Sequence, residues 1–457
     1  MAHCEVIDKM EKARVIEKSR WPNHRIVVYV TSLVLILLMD LLISVGFAQT
    51  IRSSDYVVLE GQSVPGTAGE FFSDFATPFV NVRGHVAFGG FYDSSQTGIF
   101  LSNEGLLSAV AVQGQTIPGI GTLSHDFVWL AFNNRSTVVF SHNGISGGAT
   151  AAAIFQKELG ESLTAIVMQG DPAPGTNSGV FASFDRVDQN SEDDVAFTAT
   201  YEEDGHFKSG VFLKLNNGPL IPIVLQGDLL PGTGGGSLCI QSSVRDINGP
   251  WLNDRGTVAF QASYICDASE LSGSMFIKQW DKPIQPFVLR GDKSMLPLGT
   301  ICYIGGAYWP GLTNVNAMGL LLGISAGEDC TLAPDQFGIY VKKLGAMPLP
   351  CVIEGSTAPG TPGEFTNLFT PAINHKGLLA FGGVVTDKQY PYMNYRGIFT
   401  CKNGNIKTVA LQGQPKPGTS STFGFGTVGF DYASLSDKGR VIFLDRISPT
   451  GVFESAH

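Results

Sequence analysis

From residue 54 to the end, the chain alternates short apolar runs with turns rich in Gly, Pro, Asn and Asp. Runs such as "EFFSDFATPFV", "GHVAF", "GIFLS" and "LSAVAVQG" have the length and aromatic, β-branched content of strands. The pattern then repeats. A "V-L-x-G-[QD]-x-x-P-G" turn recurs around Gly61, Gly114, Gly170, Gly227, Gly291, Gly355 and Gly413, at spacings of 53 to 64 residues. After each comes an N-x-x-G-x-x-A-F element, starting at Asn81, Asn133, Asn190, Asn253, Asn316, Asn374 and, in the last copy, Ser436. A G-I-F match follows at Gly98, Ala153, Gly210, Ser274, Gly338, Gly397 and Gly451. Three registers therefore agree in all seven copies.

Each copy reads as a four-stranded antiparallel meander. The motif Asn caps its own turn through its side chain, and Gly tolerates the positive φ that the turn needs. One such sheet buries neither face alone, and stacking copies around an axis solves that problem. The fold class predicted is all-β: a seven-bladed β-propeller of four-stranded blades over residues 54–457. An open β-solenoid and two smaller β domains are the alternatives. The last copy stops at its third strand, "TGVFESAH", while "SDYVVLEG" (residues 54–61) precedes the first full copy. Pairing that spare N-terminal strand into the last blade closes the ring and removes both free edges.

These N-x-x-G-x-x-A-F copies resemble the tandem-repeat family named after that motif, found in exported bacterial proteins with varied anchors. The resemblance covers nearly all of residues 54–457 and implies no particular activity. Several copies depart from it. Ser136 and Asp193 stand for the turn Gly, Leu322-Gly323 for Ala-Phe, and Ser436 for Asn.

Residues 1–25 are a charged N-terminal region, and residues 26–48, "IVVYVTSLVLILLMDLLISVGFA", are long and apolar enough to span a bilayer. They predict a signal peptide cleaved after Ala48, with an uncleaved anchor as the alternative. Gly46-Phe47-Ala48 fits a small-x-small cleavage site, and Asp40 is costly at membrane depth. Either way the repeats are exported: secreted, periplasmic or membrane-anchored outside the cytoplasm. Membrane contact is expected only through this segment if it stays uncleaved. Six Cys lie beyond it, an even number suited to disulfides in an oxidising compartment. Cys239 and Cys266 occupy the start of the first strand and the end of the second in copy four; Cys302 and Cys330 hold equivalent places in copy five. One geometry used twice predicts Cys239–Cys266 and Cys302–Cys330 bridges. Cys351 and Cys401 fall on different strands of neighbouring copies, and their pairing stays open. The net charge of −10 argues against a nucleic-acid partner.

Function is expected where the copies differ, in the segments joining second and third strands. These lie at the same end of each meander as the G-[QD]-x-x-P-G turns. Tyr92, Tyr201, Tyr264, Tyr390, Tyr392 and Tyr395 are candidate ligand contacts there, offering ring faces and hydroxyls. A ring of Gln62, Gln115, Asp171, Asp228, Asp292 and Gln414 is the polar counterpart, unless these side chains simply close their own turns. Catalytic signals are weak. "GISGG" around Ser146 lacks the strand-to-helix context of a nucleophile elbow, and "GFGTVG" at 424–429 lacks a βαβ unit. "RGD" at 290–292 is the repeated turn preceded by Arg290. His142 and His206 fall in variable loops without metal spacing, and "EEDG" at 202–205 lacks a repeated calcium pattern. No catalytic residue, metal site or cofactor is assigned. The leading expectation is a non-catalytic binding module for an extracellular glycan or protein; the alternative is a secreted polysaccharide lyase or hydrolase using the same face.

Overall fold

The structure, a computed structural model, describes residues 56–455 other than 94, 125–126, 149, 235–236, 239–246, 264–272, 296–297, 306–310, 328–329, 331 and 425–432. The predicted leader, Cys239, Tyr264 and Cys266 lie outside the described residues. Among those described, no helix is long and apolar enough to cross a membrane.

The described residues form an all-β succession of antiparallel sheets in chain order. Copy three shows the unit most plainly. Its strands Val180–Gln189, Val195–Glu203, His206–Lys214 and Leu220–Leu225 pair in sequence order. Copy two adds a small side sheet of Thr116–Ile117, Gly121–Leu123 and Ile145–Ser146. The last sheet takes its outer strand from the other end of the chain: Tyr56–Leu59 pairs antiparallel with Gly451–Ser455, with Leu59 opposite Gly451.

The G-I-F signature has a packing cause. Phe at the third position folds its ring back over Gly at the first. A Cβ on Gly397 would lie 3.0 Å from the Phe399 ring, 2.8 Å from the Ala410 carbonyl oxygen and 2.7 Å from Leu411. On Gly451 it would meet the Phe453 ring at 3.0 Å and Leu59 at 2.7 Å. Leu59 thus stands to copy seven as Leu411 stands to copy six. The same Phe receives the edge of a first-strand Phe. Phe72–Phe100, Phe181–Phe212 and Phe365–Phe399 each have centroids 4.9 Å apart at near-perpendicular angles, and Phe423–Phe453 follows at 5.1 Å.

The N-x-x-G turns do more than the sequence predicts. Asn253 Oδ1 accepts from the Arg255 and Thr257 amides, both at 3.0 Å, which is the expected cap. Its Nδ2 donates onward to the Thr313 carbonyl at 3.0 Å. Asn81 donates likewise to the Asn133 carbonyl, Asn133 to Asn190, Asn190 to Asn253, and Asn374 to Ser436. The motif amide is therefore a relay between copies.

Copy five corrects the register. The residue at the Asn place is Thr313, whose Oγ1 accepts from the Ala317 amide at 2.9 Å. Asn316 occupies the turn-Gly place, with φ 52° and its amide bonded to the Thr313 carbonyl, as Gly256 bonds to Asn253. The counterpart of Ala-Phe is accordingly Gly319-Leu320 rather than Leu322-Gly323. Asn tolerates the left-handed region through its short polar side chain, which is how it serves there.

The Cys302–Cys330 bridge forms as predicted, with Cα atoms 4.9 Å apart. Cys351 and Cys401 are also joined, with Cα atoms 6.1 Å apart. Their strands, Leu349–Ile353 and Asn394–Lys402, pack face to face, so this bridge staples copy five to copy six.

Candidate functional site

At the loop end, the structure sorts the predicted residues by burial. Tyr92 is 0% and Tyr201 1% exposed. Both rings are packed away from the surface: Tyr92 lies opposite Phe72 and Tyr201 opposite Phe181, inside the sheets. The second strand simply continues its alternation, so Phe88 and Tyr92, like Phe197 and Tyr201, share the buried face. His142 is buried too, its Nε2 3.1 Å from the Gly144 carbonyl oxygen and its ring against Phe127.

The Gln/Asp ring closes its own turns. Gln115 Oε1 accepts from the Val112 amide at 3.3 Å. Asp171, Asp228 and Asp292 accept from Met168, Leu225 and Leu289 at 2.8, 2.8 and 2.9 Å. Gln62 and Gln414 do the same with Leu59 and Leu411. Each of these side chains thus closes its own turn, the structural alternative that the sequence leaves open for them. In the "RGD" stretch, Asp292 is held by this bond and Arg290 donates to the Cys330 carbonyl.

Copy six differs. Its loop leaves the strand Leu379–Asp387 and returns in Asn394–Lys402. The buried Asp387 carboxylate accepts from the Gln389 and Tyr390 amides at 2.7 and 3.1 Å, and the Met393 amide closes the turn on the Tyr390 carbonyl at 2.8 Å. On this fixed turn Tyr390 is 42% and Tyr392 75% exposed, with ring centroids 5.9 Å apart. Tyr395 lies part-buried at the base, against the core of copies five and six.

The opposite end holds a feature that the sequence reading assigned to structure alone. A cavity of about 210 Å³ opens among the N-x-x-G turns, walled by the ends of first strands from all seven copies. Its rim is built from the residue after each motif position. The Val82 amide donates to Asn134 Oδ1, Asn134 to Ser191 Oγ, and the Ser191 amide to Asp254 Oδ1 at 2.8 Å. Asn314 Nδ2 donates to Asp254 Oδ2 at 2.9 Å, and the His375 amide to Asp437 at 2.8 Å. His375 Nε2 also reaches Asp254 Oδ2 at 3.4 Å, linking copy six to copy four.

Electrostatics follow from these contacts. The His375 hydrogen bond, aided by Asn314 and Ser191, holds the Asp254 carboxyl well below the usual range, and Asp254 raises His375 in turn. Deeper in, Asp188 accepts from the Leu252 amide at 2.7 Å and from its neighbour Gln189 at 2.9 Å. Enclosure pushes its carboxyl up to about 7 despite those bonds. Arg186 lies over the Trp129 ring at 4.4 Å, and Trp129 Nε1 donates to Asp185 at 2.6 Å. Among the described residues no group of three or more His, Cys, Asp or Glu is placed to hold a metal ion.

A family model covers residues 46–279 and 240–457, described as a family of unknown function, DUF7453. The chain belongs to that family. No curated protein matches it in sequence. Among solved structures it is similar to the acylaminoacyl peptidase of Pyrococcus horikoshii, at 8% identity and a TM-score of 0.45. That match covers 84% of this chain, which spans 52% of the peptidase's length. It is similar to the β-propeller domain of the Trilobed protease from Pyrococcus furiosus at 10% identity, a TM-score of 0.43, and 84% and 95% coverage of the two chains. Polysaccharide lyase Uly1 follows at 10% identity, a TM-score of 0.42, and 90% and 94% coverage.

Proposed function

We propose that this DUF7453 chain is an exported, closed seven-bladed β-propeller that acts as a non-catalytic binding module for an extracellular glycan or protein. Three contacts support the ring. Tyr56–Leu59 supplies the last sheet's outer strand, the Val80 amide of copy one donates to Ser434 Oγ of copy seven at 3.1 Å, and one cavity is walled by all seven copies. The two disulfides among the described residues suit an oxidising compartment and so support export. The repeated N-x-x-G turns are what an exported tandem-repeat array of the resembling family carries.

The observation that carries the binding reading is the pair Tyr390 and Tyr392. Large rings held out on a loop beside the exposed Met393 bury area on binding without losing much side-chain freedom, since each has only two χ angles. Hydrogen bonds to Asp387 fix the turn beforehand, so little ordering is left to oppose association. Screening the purified protein against arrays of glycans and of extracellular proteins tests this, followed by mass spectrometry of the recovered ligand. A retained ligand returned intact is the expected outcome. A cleaved ligand would show the face to be catalytic, and no retention on either array would remove the binding reading.

A further inference from the structure

The cavity among the N-x-x-G turns is a separate site, at the other end of the meanders from Tyr390 and Tyr392, and its inference stands whether or not the loop binds anything. Three features point to a ligand. First, its volume of about 210 Å³ has room for one small organic molecule. Second, its ionisable lining is mostly acidic: Asp188, Asp254 and Asp437, with His375 at the rim and Arg186 stacked on Trp129. Low-dielectric walls focus such a field onto whatever enters. Third, Gln189 lines the same cavity, is 6% exposed, and its Oε1 is buried with no hydrogen-bond partner among the described residues. Its orientation is fixed, because Nε2 donates to the Ala131 and Thr137 carbonyls at 2.9 and 2.5 Å. Oε1 therefore only accepts. A buried acceptor left without a donor is costly, and a ligand hydroxyl or ammonium relieves that cost.

Asp188 agrees with this. Each of its oxygens accepts one backbone amide, and a carboxylate oxygen has capacity for a further donor. Its raised titration reflects a carboxyl enclosed by protein, with the nearby Asp254 charge acting in the same direction. At Gln189 Oε1 and Asp188 the open capacity is for a donor, and the three carboxyl groups of the lining favour one with positive charge.

We propose that this cavity binds a small organic primary ammonium compound, its ammonium held by Asp188 and Asp254 and a second donor taken up by Gln189 Oε1. Two sources share that chemistry, an amino sugar and an aliphatic diamine. Isothermal titration of the purified protein with glucosamine and with putrescine separates them. N-acetylglucosamine and glucose serve as uncharged controls, and melting temperature is followed in parallel. At least one amine should bind and raise the melting temperature, while both neutral sugars give no heat. Asp188→Asn should weaken amine binding about tenfold or more. Asp254→Asn, at the part-exposed rim, is the second variant should Asp188→Asn fail to fold. Binding of neither amine, equal binding of the neutral sugars, or undiminished affinity in a folded variant of either aspartate would each overturn the proposal.

Discussion

Replacing Asn253 by Ala tests the inter-copy relay at its best-defined point. Asn253 is almost wholly buried and makes four hydrogen bonds: from the Arg255 and Thr257 amides, to the Thr313 carbonyl, and to Asn316 Oδ1 at 2.9 Å. Ala removes all four. The Thr257 amide and the Thr313 carbonyl are the costly losses, because both bonds are buried. At about 1–3 kcal/mol for each of these two stranded groups, the variant should lose roughly 2–6 kcal/mol. Copy five supplies the internal control, since Thr313 caps its turn through one oxygen. Asn253→Thr keeps the cap and drops the relay, so it should lose about half as much. Asn253→Asp turns a donor into an acceptor facing the Thr313 carbonyl and should be at least as damaging as Ala. Urea unfolding followed by tryptophan fluorescence and circular dichroism measures the midpoint shifts. Equal losses for Thr and Ala, or a loss under about 1 kcal/mol for Ala, would refute the relay and leave a simple turn cap.

Other outcomes follow from the same contacts. Deleting residues 49–60 removes the strand that covers the last sheet, including the fully buried Val58, and should lower the thermal midpoint sharply; an unchanged midpoint would count against closure. Non-reducing peptide mapping should recover Cys302–Cys330 and Cys351–Cys401 together with Cys239–Cys266. Cys351→Ser with Cys401→Ser should cost about 2–5 kcal/mol, and free thiols at those positions in protein purified without reductant would contradict the register. His375 is raised and Asp254 lowered by their contact, so the pair stabilises fully between about pH 4 and 6.5. That stabilisation is lost as pH rises through the raised His375 value and, at the acid end, as pH falls towards the lowered Asp254 value. Being part-exposed, it is worth about 0.5 kcal/mol. His375→Gln should therefore match the parent at pH 9 and fall below it at pH 6, and an equal deficit at both would remove the ionic contribution.

The repeat is legible in the sequence because its causes are local and steric. Gly397 is required by a Phe ring two residues on, Gly84 by a positive φ of 87°, and Asp171 by an amide three residues back. What a single copy does not reveal depends on its neighbours. The relay from Asn133 to Asn190 is invisible in either copy alone. Thr313 was masked by Asn316, since Asn serves both as a cap and as a residue with positive φ. Tyr92 and Tyr201 had a readable signal, because each lies four residues after a motif Phe and so shares its face. The cavity had one too. Asn134, Ser191, Asp254, His375 and Asp437 form a polar column just after the motif position, a pattern that an ordinary solvated turn also produces. The Cys351–Cys401 bridge depends on how two sheets stack, which chain spacing does not report.

The central claim is that Tyr390 and Tyr392 form the contact face of a binding module. Both rings are exposed, so Tyr390→Ala with Tyr392→Ala should leave the thermal midpoint within about one degree, as is usual for surface substitutions. Titrating the best array ligand against this double variant and its parent is the direct test. A loss of affinity of about tenfold or more, at unchanged stability, is the predicted result; an affinity within about twofold of the parent would contradict the account.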